Sequence, residues 1–146
     1  MEIRKAKIGD ENGIFHLICE LAKYEFAPDQ VTNTAQNLSL DLFQEKICEA
    51  IVAEENNKII GFALWYTSYS TWKGKCLYLE DFYVLPEFRE QKIGSQLFDQ
   101  VVEIAEKTGV KRMDWQVLKW NKLALDFYKR KNAILDPEWI NGRLFF

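Results

Sequence analysis

The sequence predicts an α/β fold, a mixed central β-sheet flanked by helices, on three observations. Apolar runs of strand length alternate with segments whose apolar residues recur every three or four positions. Their order is strand, helices, three strands, helix, strand, helix and two strands, which suits a layered sheet. The 146 residues contain no internal repeat or linker, so a single domain over 1–146 is expected.

Each element has its own signal. Alternation in Glu2-Ile3-Arg4-Lys5-Ala6-Lys7-Ile8 predicts the first strand. Asp10 is placed to cap a helix with Ile14, Leu17, Ile18, Leu21 and Ala22 on one stripe, closed by Pro28. Thr34 or Asn37 is expected to open a shorter helix carrying Leu38, Leu42 and Phe43. The runs 50–53 and 59–66 predict a hairpin around the polar turn 54–58. A loop over 67–75 then leads to the runs 76–79 and 82–85, separated by Glu80-Asp81 and closed by Pro86. A helix is expected over 93–108, with Ile93, Leu97, Val101, Ile104 and Ala105 inward and Gly109 as its stop. A strand over 110–117, a helix over 121–131 and terminal strands 133–135 and 140–146 around Asp136-Pro137 complete the plan.

Composition narrows the function. Net charge is −3, so no global field favours nucleic acid, and a small cationic partner is mildly favoured. The longest apolar run, 59–66, falls far short of the roughly 20 residues that span a bilayer, and no membrane partner is expected. The charged alternation after Met1 is unlike a secretory leader. Cys19, Cys48 and Cys76 are odd in number and lie in apolar settings, which predicts buried reduced thiols and a cytoplasmic protein. A lone His16 with scattered cysteines implies no metal.

The chemistry is concentrated in Leu79-Glu80-Asp81-Phe82-Tyr83-Val84-Leu85-Pro86-Glu87-Phe88-Arg89-Glu90-Gln91-Lys92-Ile93-Gly94-Ser95-Gln96-Leu97. A strand ends at a proline, a short polar and basic loop follows, and a helix begins near Gly94. Such a junction gathers unpaired N–H groups and the positive end of the helix dipole, which suits a pyrophosphate. Arg89 is placed to add charge to a phosphate, and Gly94 allows a close backbone approach. Later, Asn121, Ala124 and Tyr128 are spaced to share one helical face, with Phe127 beside them.

Together these segments resemble the GCN5-related N-acetyltransferases, whose loop Arg/Gln-x-x-Gly-x-Gly/Ala binds the acetyl-CoA pyrophosphate and whose later helix carries Asn-x-x-Ala-x-x-Phe-Tyr. The blocks Leu21-Ala22-Lys23-Tyr24-Glu25 and Leu77-Tyr78-Leu79-Glu80-Asp81-Phe82-Tyr83-Val84 are similar to the spermidine/spermine (diamine) acetyltransferase branch. Trp120-Asn121, Phe127-Tyr128-Lys129-Arg130 and Arg143-Leu144-Phe145 extend the likeness over nearly the whole chain.

The resemblance implies the acyl-CoA N-acyltransferase fold of that superfamily, acetyl-CoA as co-substrate, and a set of roles. Phe82, Tyr83, Val84, Arg89, Glu90, Gln91, Lys92, Ile93, Gly94, Ser95, Asn121, Ala124 and Tyr128 would contact the cofactor. Tyr128 would protonate the departing CoA thiolate, a phenol of pKa about 10 facing a thiol of about 8.5. Glu80 would take the amine proton, with Asp81 brought to the same cavity if the strand is bulged there. Tyr24, Glu25 and Trp72 would contact an alkylammonium substrate. The branch also implies a homodimer, which the apolar end Arg143-Leu144-Phe145-Phe146 suits.

Two departures stand out. Glu90 and Lys92 occupy loop positions usually held by glycine, which predicts weakened cofactor binding. Ser70 stands where diamine acetyltransferases carry an acid two residues before the tryptophan, leaving one fewer anchor for distal charges. The expected activity is direct acetyl transfer in a ternary complex to a small diamine, polyamine or lysine-like amine such as thialysine. Acetylation of a protein or peptide amine, and silent binding of a CoA ester, are the alternatives.

Overall fold

The computed structural model describes residues 1–146 and contains two compact units, 1–116 and 117–146. The first unit holds a five-stranded sheet in the order β1-β2-β3-β4-β5. Its strands are β1 (Glu2–Lys5), β2 (Glu49–Glu55), β3 (Lys58–Ser70), β4 (Gly74–Val84) and β5 (Met113–Asp114). The first four pair antiparallel and β5 joins β4 in parallel, so the sheet is mixed, as the sequence predicts.

Helix α1 (Glu11–Tyr24) buries Ile14 and Leu17 completely, on the stripe read from spacing. Asp10 precedes α1 but does not cap it. Its carboxylate instead accepts from both Arg4 guanidinium nitrogens, at 2.7 and 3.0 Å, and from the Lys7 N–H at 2.8 Å. Glu54 takes a further Arg4 N–H at 3.1 Å, so this network ties β1 to the start of α1 and to β2. Thr34, not Asn37, caps α2 (Ala35–Ser39), accepting the Asn37 N–H at 3.1 Å, and a π-helical turn over Leu40–Gln44 continues it. Helix α3 (Ile93–Lys107) buries Ile93, Leu97, Phe98, Val101 and Ala105, and Gly109 at φ 74° ends its run as expected.

Three strand expectations are corrected. The stretch 67–75 is not a loop: β3 and β4 continue in register to Ser70↔Gly74, leaving only residues 71–73 as the turn. The polar alternation of Thr67-Ser68-Tyr69-Ser70 marks a strand pair with an exposed face. The strand expected over 110–117 contracts to the two residues of β5. The terminal strands 133–135 and 140–146 do not form, since those residues have no ladder partner and Ile134, Ile140, Leu144, Phe145 and Phe146 lie exposed.

The second unit contains α4 (Lys122–Arg130). Asn121 caps it, its side-chain oxygen accepting the Ala124 N–H at 3.2 Å. At the other end the Ala133 N–H returns to the Tyr128 carbonyl at 3.1 Å, with Asn132 in the left-handed region at φ 63°. No helix is long and apolar enough to cross a membrane.

Candidate functional site

The expected junction forms in the first unit. Strand β4 ends at Val84, a 3-10 turn runs over Pro86–Gln91, and α3 begins at Ile93. The N-cap residue Lys92 makes no side-chain cap to α3, whose N-terminus brings the positive end of the helix dipole to the turn. Lys92, on an expected glycine position, adopts φ 61°, ψ 17°, the left-handed region that glycine favours. A side chain has replaced glycine here while the backbone has kept the shape that glycine serves. Both Glu90 and Lys92 are exposed, with Gln91 beside them. At Gly94 an added Cβ would meet Phe82 at 3.5 Å and Val84 at 3.9 Å, both ordinary contacts.

Arg89 departs from its expected orientation. Its Nε donates to the Val84 carbonyl at 3.0 Å, and its guanidinium carbon sits 5.2 Å from the ring centroids of both Tyr24 and Tyr83. Its charge is therefore held against β4 and the end of α1. Tyr83 and Val84 are buried, and the half-buried Phe82 ring lies 5.9 Å from that of Phe98.

The acidic residues lie further back along β4. Leu64 pairs with Asp81 and Trp65 with Leu79, so Glu80 is an extra residue, bulged out of the β3–β4 ladder. Glu80 is exposed and Asp81 half-buried. Burial, then the charges of Glu80 and Glu25, push the Asp81 carboxyl up to about 7. Glu25, just past α1, is also raised by its own burial. Three carboxylates from two elements thus share one electrostatic neighbourhood, and Asp81 is poised between charge states at neutral pH.

Trp72 lies in the 71–73 turn and is 83% exposed, so its ring lines no enclosed pocket of this chain. Ser70 beneath it is buried, and its hydroxyl accepts the N–H groups of Trp72 at 3.2 Å and Lys73 at 3.1 Å. Elsewhere, Trp65 is buried, whereas Trp120 and Trp139 are exposed. In the second unit Tyr128 is buried, and its ring meets that of Phe127 edge-on at 5.4 Å. Cys76 is buried, but Cys19 and Cys48 are only half-buried; all three are unpaired. Two open grooves of about 480 Å³ lie elsewhere, around Arg4–Asp10 and between α1 and α2, and neither contains an expected site residue.

What sequence reading missed is the Tyr24–Arg89–Tyr83 contact and the displaced titration of Asp81. Both depend on where α1 ends relative to β4, which no local pattern encodes.

Residues 14–132 match the model of the acetyltransferase (GNAT) family. The chain belongs to the GNAT acetyltransferase family. That makes it an N-acetyltransferase, as the sequence predicts, of a family that uses acetyl-CoA. Among GNAT relatives, the thialysine N-epsilon-acetyltransferase of Bos taurus is 44% identical over 140 residues, covering 90% of this chain and 82% of that protein. The spermidine/spermine N(1)-acetyltransferase-like protein 1 of Homo sapiens is 34% identical over 141 residues, 91% of this chain and 20% of that protein. The fold matches a solved integron cassette protein from the mobile metagenome of V. cholerae with a TM-score of 0.79 at 26% identity, covering 99% of this chain and 92% of that one. The expected GNAT fold and the likeness to the thialysine and spermidine/spermine branch are thereby borne out.

Proposed function

We propose that this protein transfers the acetyl group of acetyl-CoA to a primary amine of a small diamine, polyamine or lysine-like amino acid, with both substrates bound together. The single observation that carries this reading is the acidic cluster made by Glu80 and Asp81, on the strand that feeds the junction with α3, and Glu25 at the end of α1. Such a cluster attracts an alkylammonium ion and has a group ready to accept its proton.

The chemistry proceeds in one exchange. A neutral amine nitrogen attacks the thioester carbonyl carbon, the C–N bond forms and the C–S bond breaks. The carboxylates of Glu80 and Asp81 receive the amine proton, directly or through water. A cationic amine arriving beside the pair favours the charged form of Asp81, the form able to take that proton. The pattern Asn121, Ala124, Phe127, Tyr128 assigns Tyr128 to protonate the thiolate, and the turn 89–95 with α3's first N–H groups to hold the pyrophosphate. The family resemblance of the β4 block assigns Phe82, Tyr83 and Val84 to the cofactor as well.

Ser70 favours a lysine-like amino acid over a long polyamine. Its hydroxyl is committed to the 71–73 turn and supplies no charge for a distant ammonium. The relatives named for thialysine acetylation support the same preference. The family match, which runs through both units, supports their working as one domain. A cytoplasmic location is supported by the three unpaired thiols, and a homodimer by the exposed apolar residues 134–146.

The test is acetyl-CoA-dependent thiol release with thialysine, lysine, putrescine, spermidine, spermine and a short peptide. Thialysine or a small diamine should turn over fastest; a peptide-only activity would replace this reading with the protein-acetylating one. Tyr128→Phe should lower kcat about 100-fold or more with acetyl-CoA affinity little changed. An unchanged kcat would remove Tyr128 from the chemistry.

A further inference from the structure

We propose that Tyr24 and Arg89 are positioning residues for acetyl-CoA: the aromatic clamp Tyr24–Arg89–Tyr83 holds the 86–92 turn in its binding shape. The inference rests on the proposed cofactor role of the 89–95 segment and deepens it.

The turn is a single short 3-10 segment over Pro86–Gln91, set between β4 and α3. Within it, the Phe88 N–H reaches back to the Leu85 carbonyl at 2.9 Å, but Lys92 sits in the left-handed region and makes no side-chain cap to α3. Arg89 anchors the segment in three directions at once. Its Nε bonds the Val84 carbonyl at 3.0 Å, fixing the turn to the end of β4. The Tyr83 ring, on β4, and the Tyr24 ring, on the last residue of α1, each lie 5.2 Å from the guanidinium carbon. Guanidinium is suited to this because its planar face stacks on rings while its edge still donates hydrogen bonds.

Two consequences separate this assignment from a direct phosphate contact. A phosphate-binding arginine would need only its own charge, whereas a clamp also needs the Tyr24 ring. Tyr24 also adjoins Glu25, whose charge acts on Asp81, so the clamp links the cofactor turn to the helix end that bears an acid of the amine site. A change made on the amine side is then felt in cofactor affinity.

The experiment combines amide hydrogen exchange on the ligand-free full chain with calorimetric titration of acetyl-CoA. Three variants are compared with the wild type: Tyr24→Leu, Tyr24→Phe and Arg89→Lys. Tyr24→Leu and Arg89→Lys should each speed exchange at residues 86–94 and raise the acetyl-CoA Kd about 5-fold, the scale of one lost cation–π contact. Tyr24→Phe keeps the ring and should match the wild type in both readouts. Tyr24→Leu with wild-type exchange and wild-type Kd overturns the clamp. A wild-type chain that binds no acetyl-CoA overturns the cofactor reading instead, and the exchange data then still decide whether Tyr24 and Arg89 order the turn.

Discussion

At the scale of single residues, the turn proposed to hold the cofactor makes a sharp distinction between two neighbouring positions. Lys92 holds a left-handed conformation that costs an L-residue about 1–2 kcal/mol. Lys92→Gly should therefore raise stability by up to about 1 kcal/mol, read as a higher denaturation midpoint at unchanged slope. Gly94 is the converse case. Its added Cβ meets neighbours no closer than 3.5 Å, so Gly94→Ala should leave the unfolding free energy within about 0.5 kcal/mol of wild type. A weakened acetyl-CoA affinity in that variant would report the backbone approach itself, because packing has been spared. Glycine absence at 90 and 92 was legible in the sequence; that the backbone keeps a glycine-like turn without glycine was not, since φ is set by the elements on either side.

Among the elements, the contact of β3 with α3 is the tightest seam near the site. A Cβ at Gly61 would lie 3.1 Å from Leu97, 3.1 Å from Val84 and 3.2 Å from the Tyr83 carbonyl. Leu97 is fully buried and the carbonyl belongs to a strand, so neither can move away cheaply. Gly61→Ala should destabilise the fold by about 1–3 kcal/mol and displace the end of β4 from which the cofactor turn departs. Chemical denaturation measures the first effect, and a rise in acetyl-CoA Kd the second. Elements with strong periodicity, such as α1 and α3, were legible because burial of one stripe and local spacing carry the same message. The long β3–β4 hairpin was not, because half of its outer residues are polar and solvent-facing. The bulge at Glu80 was legible only as an option, since register is a property of two strands together. Segments 133–135 and 140–146 failed for the opposite reason: apolar composition indicates a wish for burial, but a strand needs a partner edge.

Across the whole molecule, the acidic cluster ties folding to the same proton that the proposed acid–base chemistry uses. Burial first, then Glu80 and Glu25, raise the Asp81 pKa to about 7, above an unfolded value of about 3.9. The folded chain thus keeps a proton between those values that the unfolded chain has released. The stability linked to this group is complete below about pH 4 and is lost as pH rises through 7. Glu25, also raised, acts in the same direction. Asp10 acts oppositely: burial raises its pKa, but the Arg4 hydrogen bonds and the Lys7 N–H outweigh this and lower it, so its contribution fades only in acid. Between pH 5 and 8 the unfolding free energy of the wild type should fall, while that of Asp81→Asn stays flatter and ends higher at pH 8 by on the order of 1–3 kcal/mol. The same substitution should remove the acid limb near pH 7 from the acetylation rate profile, whereas a limb left in place would move the proton acceptor off Asp81.

The buried Ser70 hydroxyl holds two successive N–H groups of the hairpin turn, and aspartate can close the same kind of turn with its carboxylate. The position that departs from the polyamine-acetylating pattern is therefore one where the two alternatives are structurally interchangeable. Exchange of Ser70 for an acid would thus change the charge beside the proposed amine site while keeping an acceptor for both turn N–H groups.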